Sequence, residues 1–552
     1  MKKKSVVSLS LIFILIFCAV NANAENDIEA PEFKDDIITF AANEIIEVNH
    51  NNTISEIIAT ERKLAHTAFT SNMQTRYEVE PNFTAPYSAG SLNQSDIDDA
   101  ANVLKMVRYL AGVPYENSDF LPELNDISQH GAVLLASSNQ FDHYPYKPDD
   151  MTDEFYDIAY QGCSRANISA GRDNISACVL GWIYDAGANN IARAGHRRWI
   201  LKPGNQDFGI GYAQGPSASY RGHRANMYVF GKTSYRTDFD SYVAWPAAGD
   251  FPIQYMAGSS YIKDTIDCPW SLNLGAPYAV PDKDRITLKL TRKRDGKVWV
   301  FDKNTPDLGE EGLSDSKMHL AVDNGGYGIG KAIVFRPDPN SLGSINDGDV
   351  FNIELSGIEY TDGTETVLSY DIRFFDIEKE KNRSTVTIEA LSNGAPLKNA
   401  AVEINGESVL TDESGIARIR VNNNKSYTYT VSKNGYNTEI GTIAVEQDDI
   451  EKRIDMIKTV EVGIDSPFNA YIYGVNISNN GITDKNNIKI YAALYDNNNV
   501  LTKITNDNIT IQSKEAIQSL IMISMDDYTR ADRVCLFIWD GMEPLCETQI
   551  LK

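Results

Sequence analysis

The chain has 552 residues, 42% of them hydrophobic, and a formal net charge of -25. That length predicts roughly three to four domains of about 150 residues each. An acidic excess of this size makes the chain a poor candidate for nucleic acid, whose binding requires clustered Lys and Arg.

Residues 1–24 read as a secretory leader. Lys2, Lys3 and Lys4 precede an apolar run from Val6 to Val20, and Ala22-Asn23-Ala24 supplies a small-x-small cleavage site. The mature protein is therefore expected outside the cell. No later segment is apolar enough to span a bilayer. Residues 25–94 form a polar N-terminal extension with a scattered helical pattern.

Over 95–232, helices precede strands. SDIDDAANVLKMVRYLAGVP predicts a helix with Ser95 as N-cap and Asp96, Asp98 and Asp99 in its first turn. Val103, Val107 and Leu110 share its apolar face, and Gly112 and Pro114 stop it. A second helix is expected over about Leu121–Ser138, and a third in NISACVLGWIYDAG. FGIGY (208–212) and NMYVFG (226–231) are strand candidates.

From 233 to 377 the pattern turns to period two, as in ITLKLTRK and VLSYDIRFF, which predicts a β-sandwich. WPAAGDFP (245–252) reads as a rigid boundary element. EKEKNR (378–383) reads as a charged linker. Two further β units follow, about 384–457 and 458–552. Asn405-Gly406 marks a hairpin in the first of these.

Six cysteines are present, Cys18 among them in the leader. Their spacing fits no zinc motif. Cys535 and Cys546 flank a short loop between strand-like runs, so a disulfide is expected there in an oxidising compartment. Cys163 and Cys178 either pair or stay buried thiols. Cys268 is the odd one.

Three spots carry chemistry: His143 in DHYPY, Asp185 three residues after Trp182 in WIYD, and His196 in GHRRWIL. Two imidazoles and a carboxylate can bind a divalent metal with an open position, or set up general acid–base work. His223 is a further candidate ligand. Arg197 and Arg198 either pair with acids beside the cleft or form a solvated basic turn. Tyr144 and Tyr146 either line the pocket or pack. No GxSxG and no local cysteine signature points to a nucleophile.

These residues stand in an order that resembles the CAP superfamily of cysteine-rich secretory, antigen 5 and pathogenesis-related proteins, in its bacterial extracellular branch. The matching pieces are His143, Asn167-Ile168, Trp182 with Asp185, and GHRRWILKP leading to GIGY. The resemblance implies an α-β-α sandwich over 95–232, followed by about three all-β sandwich domains. The unit at 384–457 resembles carboxypeptidase regulatory-like domains, which implies a spacer or binding role. The resemblance also implies a cleft holding His143, Asp185 and His196, catalytic in an enzyme. His143 and His196 would be the ligands of a divalent metal such as Zn, Mg or Ca. The partner would be a peptide, lipid or cell-wall glycan.

Two departures matter. The family's first acid is Ala166 here, and its second, a Glu, is Asp185. If Glu154 or Asp157 filled the gap at Ala166 in space, a metal-dependent hydrolase would be favoured. An apolar gap would favour binding.

Overall fold

The computed structural model describes residues 46–49, 52–70, 73–186, 190–215, 222–235, 239–257, 267–311, 317–465 and 471–552. The expected leader and residues 25–45 of the extension lie outside them.

The rest of the extension is folded against its neighbours. Helix α1 (Ile54–Lys63) opens with a capping box, in which the Thr53 hydroxyl accepts from the Glu56 N–H and the Glu56 carboxylate accepts from the Thr53 N–H at 2.9 Å. Ile57 and Ile58 are buried. A two-stranded hairpin of β1 (Tyr77–Val79) and β2 (Ser91–Leu92) follows. Helix α2 (Gln94–Leu110) is capped by Asn93, whose side chain accepts from the Ser95 N–H at 3.1 Å. The cap is thus two residues earlier than Ser95, because Asn serves the role at least as well.

A four-stranded sheet follows, built from β3 (Asp119–Phe120), β4 (Ala166–Ala170), β5 (Asp207–Gln214) and β6 (His223–Tyr228), in the order β3-β5-β6-β4. Helices α3 (Pro122–Ser138) and α4 (Asp153–Ser164) pack on one face. Helices α2 and α5 (Ile175–Tyr184) lie on the other. The FGIGY run shows why. Phe208, Ile210 and Tyr212 alternate into the α2/α5 core. Gly209 and Gly211 face α3, which approaches so closely that a Cβ at Gly211 would lie 2.3 Å from the Ser128 carbonyl carbon. Gly211→Ala is therefore expected to destabilise the fold by about 2–3 kcal/mol through overpacking. Gly326→Ala, with nothing within 4 Å of the new methyl, should leave the urea midpoint nearly unchanged.

Helix α4 has no counterpart in the sequence reading. Thr152 caps it, and Phe155, Ala159 and Cys163 form its buried stripe at four-residue spacing.

The next region is a two-sheet sandwich. It contains β7 (Tyr242–Trp245), β8 (Gly249–Pro252), β9 (Trp270–Leu274), β10 (Thr287–Arg292), β11 (Lys297–Phe301), β12 (His319–Asp323), β13 (Ala332–Arg336), β14 (Val350–Glu359) and β15 (Glu365–Phe375). The sheets have the orders β11-β10-β14-β15-β8 and β12-β13-β9-β7. WPAAGDFP therefore carries the chain from one sheet to the other. It is part of the sandwich, with β8 paired parallel to β15. One apolar cluster runs from Val48 through the α2/α5 layer to Ile377, so the change of texture near 232 is not a break in packing.

EKEKNR is a pinned joint and not a solvated linker. The short helix Ile377–Lys381 is capped by Asp376. Lys381 pairs with buried Glu61 of α1 at 2.9 Å, and Glu380 holds Arg383 and Arg420 at 2.9 and 2.8 Å. Beyond it, residues 383–455 and 460–550 each form two sheets around a separate core. Asn405 and Gly406, both at positive φ, close the hairpin between Ala401–Ile404 and Glu407–Leu410.

The five described cysteines are free thiols. Cys535 and Cys546, expected to pair, are therefore not bonded to each other. No described helix is long and apolar enough to cross a membrane.

Candidate functional site

The site forms where α5, α6 (Gly195–Ile200) and the loop after α3 meet the sheet. Asp185 is not on α5. The helix ends at Tyr184, and Asp185 is its C-cap in the left-handed region (φ 51°). That turn swings its carboxylate to His196. Asp185 Oδ1 lies 2.8 Å from His196 Nδ1, and Oδ2 accepts from the Arg197 N–H at 3.3 Å. The Asn167 side chain donates to the His196 carbonyl at 3.1 Å, and Trp182 Nε1 donates to the Ile168 carbonyl at 3.0 Å. Both tie α5 and α6 to β4.

His143 arrives from the other side. Its Nδ1 lies 3.1 Å from the Cys163 carbonyl at the end of α4. A carbonyl only accepts, so Nδ1 carries the proton and Nε2 the lone pair. For neutral His196 the carboxylate of Asp185 fixes the same tautomer. Burial lowers the His143 pKa, the Cys163 carbonyl opposes this, and the charge of His196 lowers it further. The two rings therefore sense each other, and His143 is biased toward its neutral form.

The gap at Ala166 is apolar. Ala166 packs with Met151, Phe155, Cys163 and Ile168. Glu154 and Asp157 are exposed on α4 and do not fill it, because that helix turns Phe155 and Ala159 inward instead. The carboxylate acting on His143 is its neighbour Asp142. Among the described residues, no group of three or more His, Cys, Asp or Glu is gathered to hold a metal ion.

The other candidates lie elsewhere. His223 Nδ1 meets the Tyr212 hydroxyl at 2.9 Å, the Arg172 carbonyl at 3.2 Å and Asp173 at 3.3 Å. It sits at the far end of β6 from Tyr228, whose partner on β4 is Ala166, so strand geometry separates it from the histidine pair. Tyr144 and Tyr146 are 69% and 74% exposed, so they do not pack in a core. Burial pushes the Cys163 thiol up to about 12, which keeps it from acting as a thiolate.

Arg197 and Arg198 do not form a solvated turn, and the acid that Arg198 pairs with, Asp323, belongs to the following sandwich. Both arginines are buried. Arg197 donates to the carbonyls of Ile183, Tyr184 and Pro269 at 2.6, 2.9 and 2.7 Å. Arg198 donates to the carbonyls of Ile329, Gly325 and Arg193 at 2.7, 3.1 and 3.2 Å, and pairs with Asp323. Its guanidinium lies 5.5 Å from the Tyr327 ring centre. GHRRW thus places one histidine in the site and two arginines in the seam with the following sandwich. The partners lie 71 to 131 residues downstream for contacts such as Cys268 and Ile329, beyond any local sequence signal. The Cys163 carbonyl was equally invisible, although the Phe155-Ala159-Cys163 stripe would have placed the helix that presents it.

An α-β-α sandwich that sets two histidines and an acid at one end of its sheet defines the class. Residues 118–231 match the family described as CAP, Cysteine-rich secretory protein family, and the chain carries a CAP domain there, followed by β-sandwich regions. No curated protein matches the chain. Among solved structures, the Bacillus anthracis TIE protein is similar at 9% identity and a TM-score of 0.15, covering 88% of this chain and 73% of that one. A DUF3823 family protein from Parabacteroides merdae is similar at 11% identity and a TM-score of 0.18, covering 31% and 98%. Neither likeness carries an argument.

Proposed function

We propose that this is an exported CAP-domain protein whose cleft binds a divalent cation through Nε2 of His143 and His196, with the β-sandwich regions serving as spacers or adhesion modules. The observation that supports this is the engagement of both Nδ1 atoms, by the Cys163 carbonyl and by Asp185. Each leaves an Nε2 lone pair for a ligand, and an acid behind a metal-binding imidazole is a recurrent supporting arrangement. Imidazole donors favour zinc over magnesium or calcium. Two protein ligands make a weak, exchangeable site, so bound zinc would have positions for a ligand's own donors, such as a peptide carbonyl. The leader supports export.

A metal-dependent hydrolase is the second reading. The apolar surroundings of Ala166 weigh against it, because the second carboxylate that would serve as general base has no substitute there. Calorimetric zinc titration of the mature chain tests the proposal. Binding near one equivalent is expected, with loss of at least tenfold in affinity in both His143→Ala and His196→Ala. Equal binding in wild type and both variants would place zinc elsewhere and end it.

A further inference from the structure

A second concavity lies at the seam between the CAP domain and the first sandwich. It encloses about 220 Å³, and its lining includes Lys202, Phe239, Leu274 and the loop from Gly328 to Lys331. It shares no residue with the histidine pair. Among the described residues, its lining holds two lysines and no carboxylate, in a chain whose net charge is -25.

Lys202 ends the run that begins at Gly195. The residue is only 6% exposed, yet no described residue gives its ammonium a hydrogen bond or an ion pair. Its neighbour is the Trp199 ring, whose centre is 5.7 Å away. Burial pulls its pKa down to about 8, with no acid opposing the shift. Lysine is almost never this buried without a partner, and a partly desolvated ammonium gains from an anionic one.

Lys331 also lines the pocket. Its ammonium donates to the carbonyls of Gly275 and Tyr278 at 3.2 and 2.5 Å, which fixes a second charge at the pocket. The loop between them is held from behind. Arg198 takes the carbonyls of Gly325 and Ile329, and Gly328, at φ +60°, lies against the Arg198 carbonyl where a Cβ would clash at 2.6 Å. The wall is therefore preformed, and its small volume suits a compact ligand and not a polymer.

We propose that this seam pocket binds a small oxyanion, a phosphate or carboxylate group, between the ammonium groups of Lys202 and Lys331. The anion supplies a partner that no described residue gives Lys202. Ligand and pocket are tested on the mature chain by calorimetry with inorganic phosphate and, separately, acetate. Saturable binding of at least one is expected, weakened at least tenfold in Lys202→Met, and the anion that binds more tightly identifies the source. Lys202→Met should melt no lower than wild type, since it removes an unpaired buried charge.

A second readout needs no variant. Acetylation of Lys202 by a limiting amine reagent at pH 8, followed by mass spectrometry, should be slowed severalfold by the bound anion, with exposed Lys289 unaffected. No saturable binding of either anion, binding unchanged in Lys202→Met, or no protection of Lys202 would each overturn the proposal.

Discussion

Arg198→Met is expected to destabilise the protein by about 3–5 kcal/mol, the range for removing one partner of a buried ion pair. The guanidinium is fully buried, and Asp323 beside it is 13% exposed. Burial lowers the Arg198 pKa, with a smaller push from Arg193, and the bond to Asp323 opposes this. Methionine keeps the length of the side chain but removes the cation nearest Asp323, leaving it Arg193 at 3.8 Å, and the donor that Arg198 gives the carbonyls of Gly325 and Ile329. Because one core joins the CAP layers to the first sandwich, the loss should shift a single cooperative transition seen by tryptophan fluorescence in urea. Lys289→Ala, which breaks an exposed pair with Glu354, should not move it measurably. A shift below about 1 kcal/mol for Arg198→Met would show that the seam does not depend on this clamp.

Asp185→Asn is expected to weaken zinc binding by about 10–100-fold while leaving the fold intact. The amide preserves size and can still cap the end of α5. What it removes is the charge that holds the His196 Nδ1 proton at 2.8 Å and makes Nε2 a stronger donor. It also sets an amide where two N–H groups, from His196 and Arg197, need acceptors. Unchanged zinc affinity in this variant would reduce Asp185 to a helix cap.

Much of the fold was legible because its signals are local. Apolar spacing at 3.6 residues located the helices Gln94–Leu110, Pro122–Ser138 and Ile175–Tyr184. Period-two alternation located the sandwich strands, and Asn405-Gly406 placed a hairpin through the positive φ both residues adopt. The order of His143, Asp185 and His196 was readable too. What made them a site was not. Asp185 works because it leaves the helix in a left-handed turn, and His143 is oriented by a backbone carbonyl, which has no residue identity. The arginines of GHRRW were unreadable for a related reason, since their acceptors are carbonyls and an acid from distant strands. The expectation of a bond between Cys535 and Cys546 treated a short loop as closeness, whereas both are free thiols.

The most direct test of the central claim is histidine-selective 15N NMR of the mature chain during zinc addition. The chain has seven histidines, few enough to assign by substitution. Two rings, His143 and His196, should show protonated Nδ1 before zinc, and their Nε2 resonances should move together and saturate near one equivalent. Movement of only one of them, or of other histidines in their place, would contradict a shared site.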